Sequence, residues 1–326
     1  MGPPLVTVVG EALIDLVPAD ETGDYRAHPG GSPFNVAVAL ARLRQPTTLM
    51  ARIADRGFGR LLRKRAADEG IDLSAAPHAG EPTTLAVVSL NGAAQASYEF
   101  YVEGTADWQW TMAELRRLPS DTEVLHFGSI ASWTGPASER IDQVVHKEWQ
   151  RDHALVSYDP NVRPPLLASP ARGQKLVERS IRRAHLVKAS REDLEWLYPS
   201  RSFDQVCSLW HQLGPALVVV TDGALGAVAY RAGRRPLSRP GRPVNLVDTI
   251  GAGDSFTAGL LSGLLRRGLH RPEGLHTIAD AVLGDVIDEA ALISSITCER
   301  AGADPPKLAH SVAAPTAISL DDLVTT

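Results

Sequence analysis

Seven residues late in the chain, Asp248-Thr249-Ile250-Gly251-Ala252-Gly253-Asp254, carry the residue types that phosphoryl transfer to an alcohol needs. A Gly-Ala-Gly turn lets the backbone N–H groups of Gly251, Ala252 and Gly253 converge with no large side chain between them. Phe256, Leu260, Leu261, Leu264 and Leu265 repeat at helical spacing, which predicts a helix over 251–267 with that turn at its mouth. A helix N-terminus presents roughly half a positive charge and holds anions, phosphate above all. Asp254 sets a proton acceptor beside this anion hole. The pairing holds charge on a moving phosphoryl group and removes a hydroxyl proton. A plain turn followed by an ordinary helix-start aspartate fits the same residues.

Such a turn must stand on a scaffold, and the rest of the chain supplies one. Its 326 residues are 44% apolar, enough for one large α/β domain with a sizeable core. The net charge of −5 gives no general basic field, which argues against non-specific nucleic-acid binding. Cys207 and Cys298 lie far apart without metal-ligand spacing, in keeping with a reducing compartment. The N-terminus runs directly into the apolar strand Leu5-Val6-Thr7-Val8-Val9-Gly10, with no basic flank and no signal-like cleavage site. No apolar run reaches the length of a membrane span. A cytoplasmic protein is expected.

Short apolar runs at 5–10, 47–53, 123–127, 154–158, 185–188 and 216–221 alternate with helical patterns. The helices are predicted at 33–44, 57–69, 137–150, 171–183, 203–212, 251–267 and 276–298. This alternation implies a mainly parallel sheet with helices on both faces, and ligands beyond the carboxyl ends of the strands. Polar residues gather at those ends: Asp159-Pro160-Asn161-Val162-Arg163, Lys188-Ala189-Ser190 and Thr221-Asp222-Gly223. Thr84 to Leu90 and Ala94 to Tyr101 break the pattern as a hairpin through Asn91-Gly92. With further strands nearby, they predict a small β-lid from about 11–28 and 84–102. One domain is expected over 1–308, and the tail 309–326, rich in Ala, Thr, Ser and Pro, is expected to be weakly ordered.

Gly30-Gly31-Ser32-Pro33-Phe34-Asn35-Val36-Ala37 and the late Asp248–Asp254 segment together resemble the two signatures of the pfkB carbohydrate kinases, the ribokinase-like superfamily. The likeness covers nearly the whole chain, in order. Gly10-Glu11-Ala12-Leu13-Ile14-Asp15-Leu16-Val17-Pro18 and Asp159-Pro160-Asn161-Val162-Arg163 resemble the fructokinase branch in particular. Gly253-Asp254-Ser255-Phe256 also resembles the Gly-Asp-Ser-Leu block of a serine esterase family. That block, however, belongs near the N-terminus with an Asp-x-x-His far downstream, and none follows here.

The kinase resemblance implies a ribokinase-like three-layer α/β/α fold and a role for each motif. Asp254 would be the catalytic base, and Gly251, Ala252 and Gly253 would offer amides to the transferred phosphate. Asp15, Gly30, Gly31 and Asn35 would hold the sugar, with an N-terminal helix cap as a second reading of Asn35. Asp15 falls in an apolar strand, where an unpaired carboxylate costs several kcal/mol, so it needs a hydroxyl-bearing partner or solvent. Arg163 would lie near the sugar or the phosphates, or else form a surface ion pair. Phe100 or Tyr101 would close over the sugar, or simply pack the lid. Val102 stands where relatives that phosphorylate fructose or 2-keto-3-deoxygluconate often carry arginine.

Lys188, Ser190, Thr221, Gly223 and Gly226 would line the nucleotide site. Ser190 and Asp193 replace the Asn-x-x-Glu of many relatives, leaving Asp193 a water-mediated Mg²⁺ role or a capping box with Ser190. No Gly-x-x-x-x-Gly-Lys-Ser/Thr occurs, so the phosphate cradle is not a P-loop. Mg²⁺ would be held mostly by ATP phosphates and water. A monovalent cation such as K⁺ would lie between Asp248, the Ile250 carbonyl and carbonyls near Thr297, Arg300 and Gly302. The implied activity is ATP-dependent phosphorylation of a primary hydroxyl of a ketose, fructose first. The alternatives are 2-keto-3-deoxygluconate, ribose or a nucleoside, or a non-catalytic sugar- or nucleotide-binding sensor. The partners are then a small sugar and ATP, with no nucleic acid or membrane, and a homodimer through the lid edges.

Overall fold

Strands such as Leu217–Thr221, apolar along almost their whole length, need cover on both faces. The computed structural model, which describes residues 4–19, 23–90, 96–309 and 316–324, gives them that cover. Eight strands form the central sheet. Six run parallel, in the order Thr47–Met50, Leu5–Val9, Thr122–Gly128, Leu155–Asp159, Leu186–Ser190 and Leu217–Thr221. Ala227–Arg231 and Leu237–Arg239 extend it antiparallel at one edge. Because strand side chains alternate, successive residues feed two separate cores. Leu155, Leu186, Leu217 and Val219 meet residues of helices Ser32–Arg42, Phe58–Asp68, Ala252–Arg266 and Asp280–Cys298. Val156, Val187, Val218 and Val220 meet residues of Ala137–Arg151, Pro170–Ile181, Arg191–Leu197 and Phe203–Leu213. The result is the three-layer α/β/α fold.

A second sheet of four strands, ordered Tyr25–Gly30, Leu13–Pro18, Leu85–Leu90 and Ala96–Tyr101, forms the lid. Its register aligns His28, Asp15, Ala86 and Phe100 in one row across the strands. The Asn91-Gly92 turn lies outside the described residues.

Two expectations are corrected. The pattern over 276–298 is two helices, Pro272–Thr277 and Asp280–Cys298. Pro272 opens the first at a position that tolerates a missing N–H. Ile278 then leaves the helix, buries its side chain and accepts Arg231 Nη1 on its carbonyl at 3.0 Å. The tail, for its part, carries a 3₁₀ turn and a short strand over 316–324. Leu323–Val324 pairs antiparallel with Lys307–Leu308, and Ile318 and Leu323 join the core. These apolar residues outweigh the polar composition around them.

Helix Ala252–Arg266 is buried from Asp254 to Leu265 and packs along Asp280–Cys298. The contact is close because Gly259 has no side chain: a Cβ there would stand 2.8 Å from Ala290 Cα and 3.0 Å from Ile293 Cδ1. Gly259→Val is therefore expected to destabilise the fold by about 1–3 kcal/mol, seen as a lower urea midpoint with unchanged slope. An unmoved midpoint would mean that the helices part freely.

Candidate active site

The chain enters helix Ala252–Arg266 through Gly251, whose φ of 76° is left-handed and whose added Cβ would meet Ala303 Cβ at 2.6 Å. Glycine is required there on both counts. Asp254 follows in the first turn and is fixed from a second helix. Ser32 Oγ donates to its Oδ1 at 2.6 Å, and Asn35 Nδ2 donates to its Oδ2 at 2.9 Å. Ser32 and Asn35 stand three residues apart on Ser32–Arg42 and so share a face. Asn35 is thus a helix-interior residue. The N-cap is Gly31, which sets aside the capping alternative. Burial raises the Asp254 carboxyl above its ordinary range, while Ser32, Asn35 and Lys188 pull it back. A carboxyl so placed suits a proton acceptor of moderate basicity.

The amide expectation holds in part of the turn. Ala252 N–H closes onto the Thr249 carbonyl at 3.2 Å, so it is corrected from phosphate donor to turn bond. Gly251 and Gly253 N–H find no backbone acceptor among the described residues.

Two cavities meet at this turn. One of about 220 Å³ brings together Asp15, Gly31, Asn35, Phe100, Arg163 and Asp254. The other, of about 480 Å³, is lined by Lys188, Ser190, Asp193, Thr221, Gly223 and Gly226. Asn161, Thr249 and Gly253 line both. Gly30 lines neither, which corrects its assignment: a Cβ there would sit 2.0 Å from Asp15 Oδ2, so this glycine makes room for the carboxylate.

In the smaller cavity Asp15 is only partly covered and faces open space. Burial raises its pKa to about 7, against the opposing pull of Arg163. Arg163 is half-buried and pairs with no carboxylate at ion-pair distance among the described residues, so the surface ion-pair reading falls away. Phe100 lines the cavity together with Tyr98, their rings stacked 6.0 Å apart. Tyr101, on the opposite face of the strand, is 53% exposed and is dropped as a closing residue.

In the larger cavity Lys188 Nζ donates to Asp159 Oδ2 at 3.1 Å and lies 3.0 Å from where a Cβ on Gly253 would be. Burial alone would lower this ammonium, but Asp159, Asp193 and Asp254 outweigh it and hold it above its ordinary value. Thr257 Oγ1 donates to the same Asp159 oxygen at 3.2 Å. Asp193 forms the capping box with Ser190, and its other oxygen accepts Val162 N–H at 2.7 Å. Both its oxygens therefore tie backbone, which makes it a strut of the cleft wall before anything else. Asp248 likewise accepts N–H from Ile250 at 3.0 Å and from Gly302 at 2.8 Å, joining the two loops assigned to a monovalent cation.

Ser32, Asp159, Asn161 and Glu11 are site residues that the motif reading passed over. Ser32 and Asn35 at i and i+3 carried a usable signal, because both must face the same neighbour. Glu11 carried only its place in the Gly10–Pro18 motif: it is fully buried, with Oε2 accepting Ala131 N–H at 3.0 Å, and the fold brings it to the cavity wall beside Ser129.

With a native pKa of about 7 against an ordinary 3.8, Asp15 keeps a proton that the unfolded chain loses. Its contribution to stability is complete below the ordinary value and lost as pH rises through about 7. Asp107, also raised to about 7, acts in the same direction, so the readout is a difference between proteins. Asp15→Asn is expected to lose less thermal stability than the wild type across this window. Parallel losses in the two proteins would contradict the assignment.

Comparison with known proteins bears on the same geometry. Residues 3–309 match the profile described as pfkB family carbohydrate kinase. A fructokinase of Rhizobium leguminosarum bv. trifolii is 38% identical over 264 residues, covering 80% of this chain and 79% of its own. The structure of Vibrio cholerae O395 fructokinase in its fructose-, ADP- and calcium-bound form superposes with a TM-score of 0.79 at 30% identity, over 92% of this chain and 94% of that one. Fructokinase from Xylella fastidiosa with bound ATP gives a TM-score of 0.83 at 25% identity, over 92% and 93%. No helix among the described residues is long and apolar enough to cross a membrane. With a carboxylate and free amides at the seam of two cavities and a family match along almost its whole length, the chain belongs to the pfkB family carbohydrate kinases.

Proposed function

We propose that this kinase is an ATP-dependent fructokinase, moving the γ-phosphoryl group of ATP to a primary hydroxyl of fructose. The observation that carries the reading is the place of Asp254, on the wall of the smaller cavity beside the seam that Gly253 shares with the larger one. The fructokinases among its relatives, one of them solved with fructose and ADP, support the choice of sugar.

In this reading the sugar fills the smaller cavity. Asp15 and Arg163 offer it an acceptor and a donor, and Phe100 covers it against water, which would otherwise take the phosphoryl group. Asn35 spends its amide on Asp254 and keeps its carbonyl oxygen for a hydroxyl. Asp254 takes the hydroxyl proton, the sugar oxygen bonds to the γ-phosphorus, and the bond to the β–γ bridging oxygen breaks to release ADP. The Gly251 and Gly253 amides and the Lys188 ammonium offset charge on the moving group, and Asp159 keeps that ammonium protonated.

Among the described residues no cluster of three or more His, Cys, Asp or Glu side chains is arranged to hold a metal. That fits Mg²⁺ carried in on the nucleotide, which keeps most of its water and needs few protein ligands. Glu192 and Asp193 line that cleft and would hold the ion through water, and the ion would neutralise phosphate charge. Asp248 and the Ile250 carbonyl would hold K⁺. The enzyme is read as cytoplasmic, with homodimerisation through the lid's outer strands.

ATP consumption over a panel of fructose, ribose, 2-keto-3-deoxygluconate and nucleosides tests the acceptor. Fructose is expected to give the highest kcat/KM, and binding without turnover would instead favour a sensor. Asp254→Asn should cut kcat by several orders of magnitude in a folded protein, and retention of more than about a tenth of the rate would remove its role as base. Asp15→Ala should raise the fructose KM far more than the ATP KM; the reverse would exchange the two cavities.

A further inference from the structure

Four non-glycine residues among those described have positive φ: Arg44, Ser129, Asp152 and Asn161. Two of them, Ser129 at 53° and Asn161 at 38°, line the smaller cavity. They leave neighbouring parallel strands, Thr122–Gly128 and Leu155–Asp159, whose last residues Gly128 and Asp159 stand in register. A left-handed residue outside glycine is uncommon, and for serine it has little local support. Such conformations persist where surrounding contacts fix them, and they gather at functional sites.

The contacts that fix this pair lead to one side chain. Asn161 Nδ2 donates to Ser129 Oγ at 3.1 Å, while its Oδ1 accepts Arg163 Nη1 at 2.7 Å. The Asn161 and Val162 carbonyls accept from the same nitrogen at 3.2 and 3.0 Å. Below, Asp159 Oδ1 accepts Asn161 N–H at 3.1 Å, so the carboxylate that pairs with Lys188 also anchors this loop. Among the described residues the Arg163 guanidinium donates hydrogen bonds through Nη1 alone, all within its own loop. The rest of the guanidinium is left to the cavity it lines with Asp15. An arginine without an ion-pair partner and with a long side chain has many rotamers, and ordering it costs entropy that a fixed acceptor offsets in advance.

We infer that Asn161, braced by Ser129, is the positioning residue of the acceptor pocket: its amide holds the Arg163 guanidinium across the cavity from Asp15. The strained backbone at 129 and 161 aims the two side chains at each other. Asn161 lines both cavities, but its side-chain bonds serve the acceptor side, so its loss weakens sugar binding and spares the nucleotide. This inference rests on the acceptor reading of the smaller cavity given above.

Glycine adopts these φ values freely, so Asn161→Gly and Ser129→Gly keep the backbone and remove the side-chain bonds, leaving Arg163 Nη1 only the two carbonyls of its own loop. Either variant is expected to hold its thermal midpoint, raise the fructose KM about tenfold and leave the ATP KM within about twofold. Asn161→Gly in an Arg163→Ala background should add nothing further, because the two residues act as one unit. An unchanged fructose KM, an equal rise in the ATP KM, or additive effects in the double variant would overturn the proposal. A crystal structure of Asn161→Gly decides it without activity: the guanidinium should leave its wild-type place, and a guanidinium that stays overturns the proposal. Wild-type protein that turns over no fructose refutes the fructokinase reading alone and leaves the crystallographic result to judge Asn161.

Discussion

Burying the Asp254 carboxylate is the constraint on which the other parts depend. A carboxylate taken from water without partners costs several kcal/mol and would simply take up a proton. Here a helix N-terminus, the Ser32 hydroxyl, the Asn35 amide and the nearby Lys188 ammonium share the task of holding it. These groups come from three distant parts of the chain. Helices Ser32–Arg42 and Ala252–Arg266 must therefore lie side by side, and the strand Leu186–Ser190, which carries Lys188, must end beneath them. Asp254 and its supports are one unit, so its geometry is set by the core.

The parallel sheet explains why this unit faces a cavity. Its strands deliver Ser129, Asp159, Ser190 and Thr221 to the same edge, where backbone groups and short polar side chains are freed from the ladder. Asp159 is central to that edge. One of its oxygens orders the loop that carries Asn161 and Arg163, and the other receives Lys188 and Thr257. A single buried carboxylate thereby sets the wall of the smaller cavity and the cation of the larger one. The lid contributes what the sheet edge lacks, namely the Asp15 carboxylate and the Phe100 ring in one cross-strand row. Perturbed carboxyls at Asp15, Glu11 and Asp254 follow from putting polar groups where water is scarce.

Most of the order of strands and helices, the paired lid strands and the helix behind Asp254 were legible, because hydrophobic period is a local property. The apolar runs ending at Asp159, Lys188 and Thr221 also placed the polar loops on one edge, since parallel strands share a direction. Other features lay beyond local pattern. Ala252 N–H was read as a phosphate donor and is turned onto the Thr249 carbonyl, a backbone bond that residue types do not specify. Gly30 was read as room for a sugar and is room for Asp15. Ile318 and Leu323 fold back and join the core, a long-range contact that the composition of the tail could not announce.

The sequence by itself determined the alternation of strands and helices, the glycine turn and the carboxyl residue in the first turn of the helix behind it. Each of these depends on residues adjacent in the chain or one helical turn apart. Only the tertiary structure decided which partners hold Asp254, that two cavities share Gly253, and that Asn161 and Ser129 meet across neighbouring strands. Those are contacts between segments separated by long stretches of chain, and their geometry comes from how the two cores pack on the sheet.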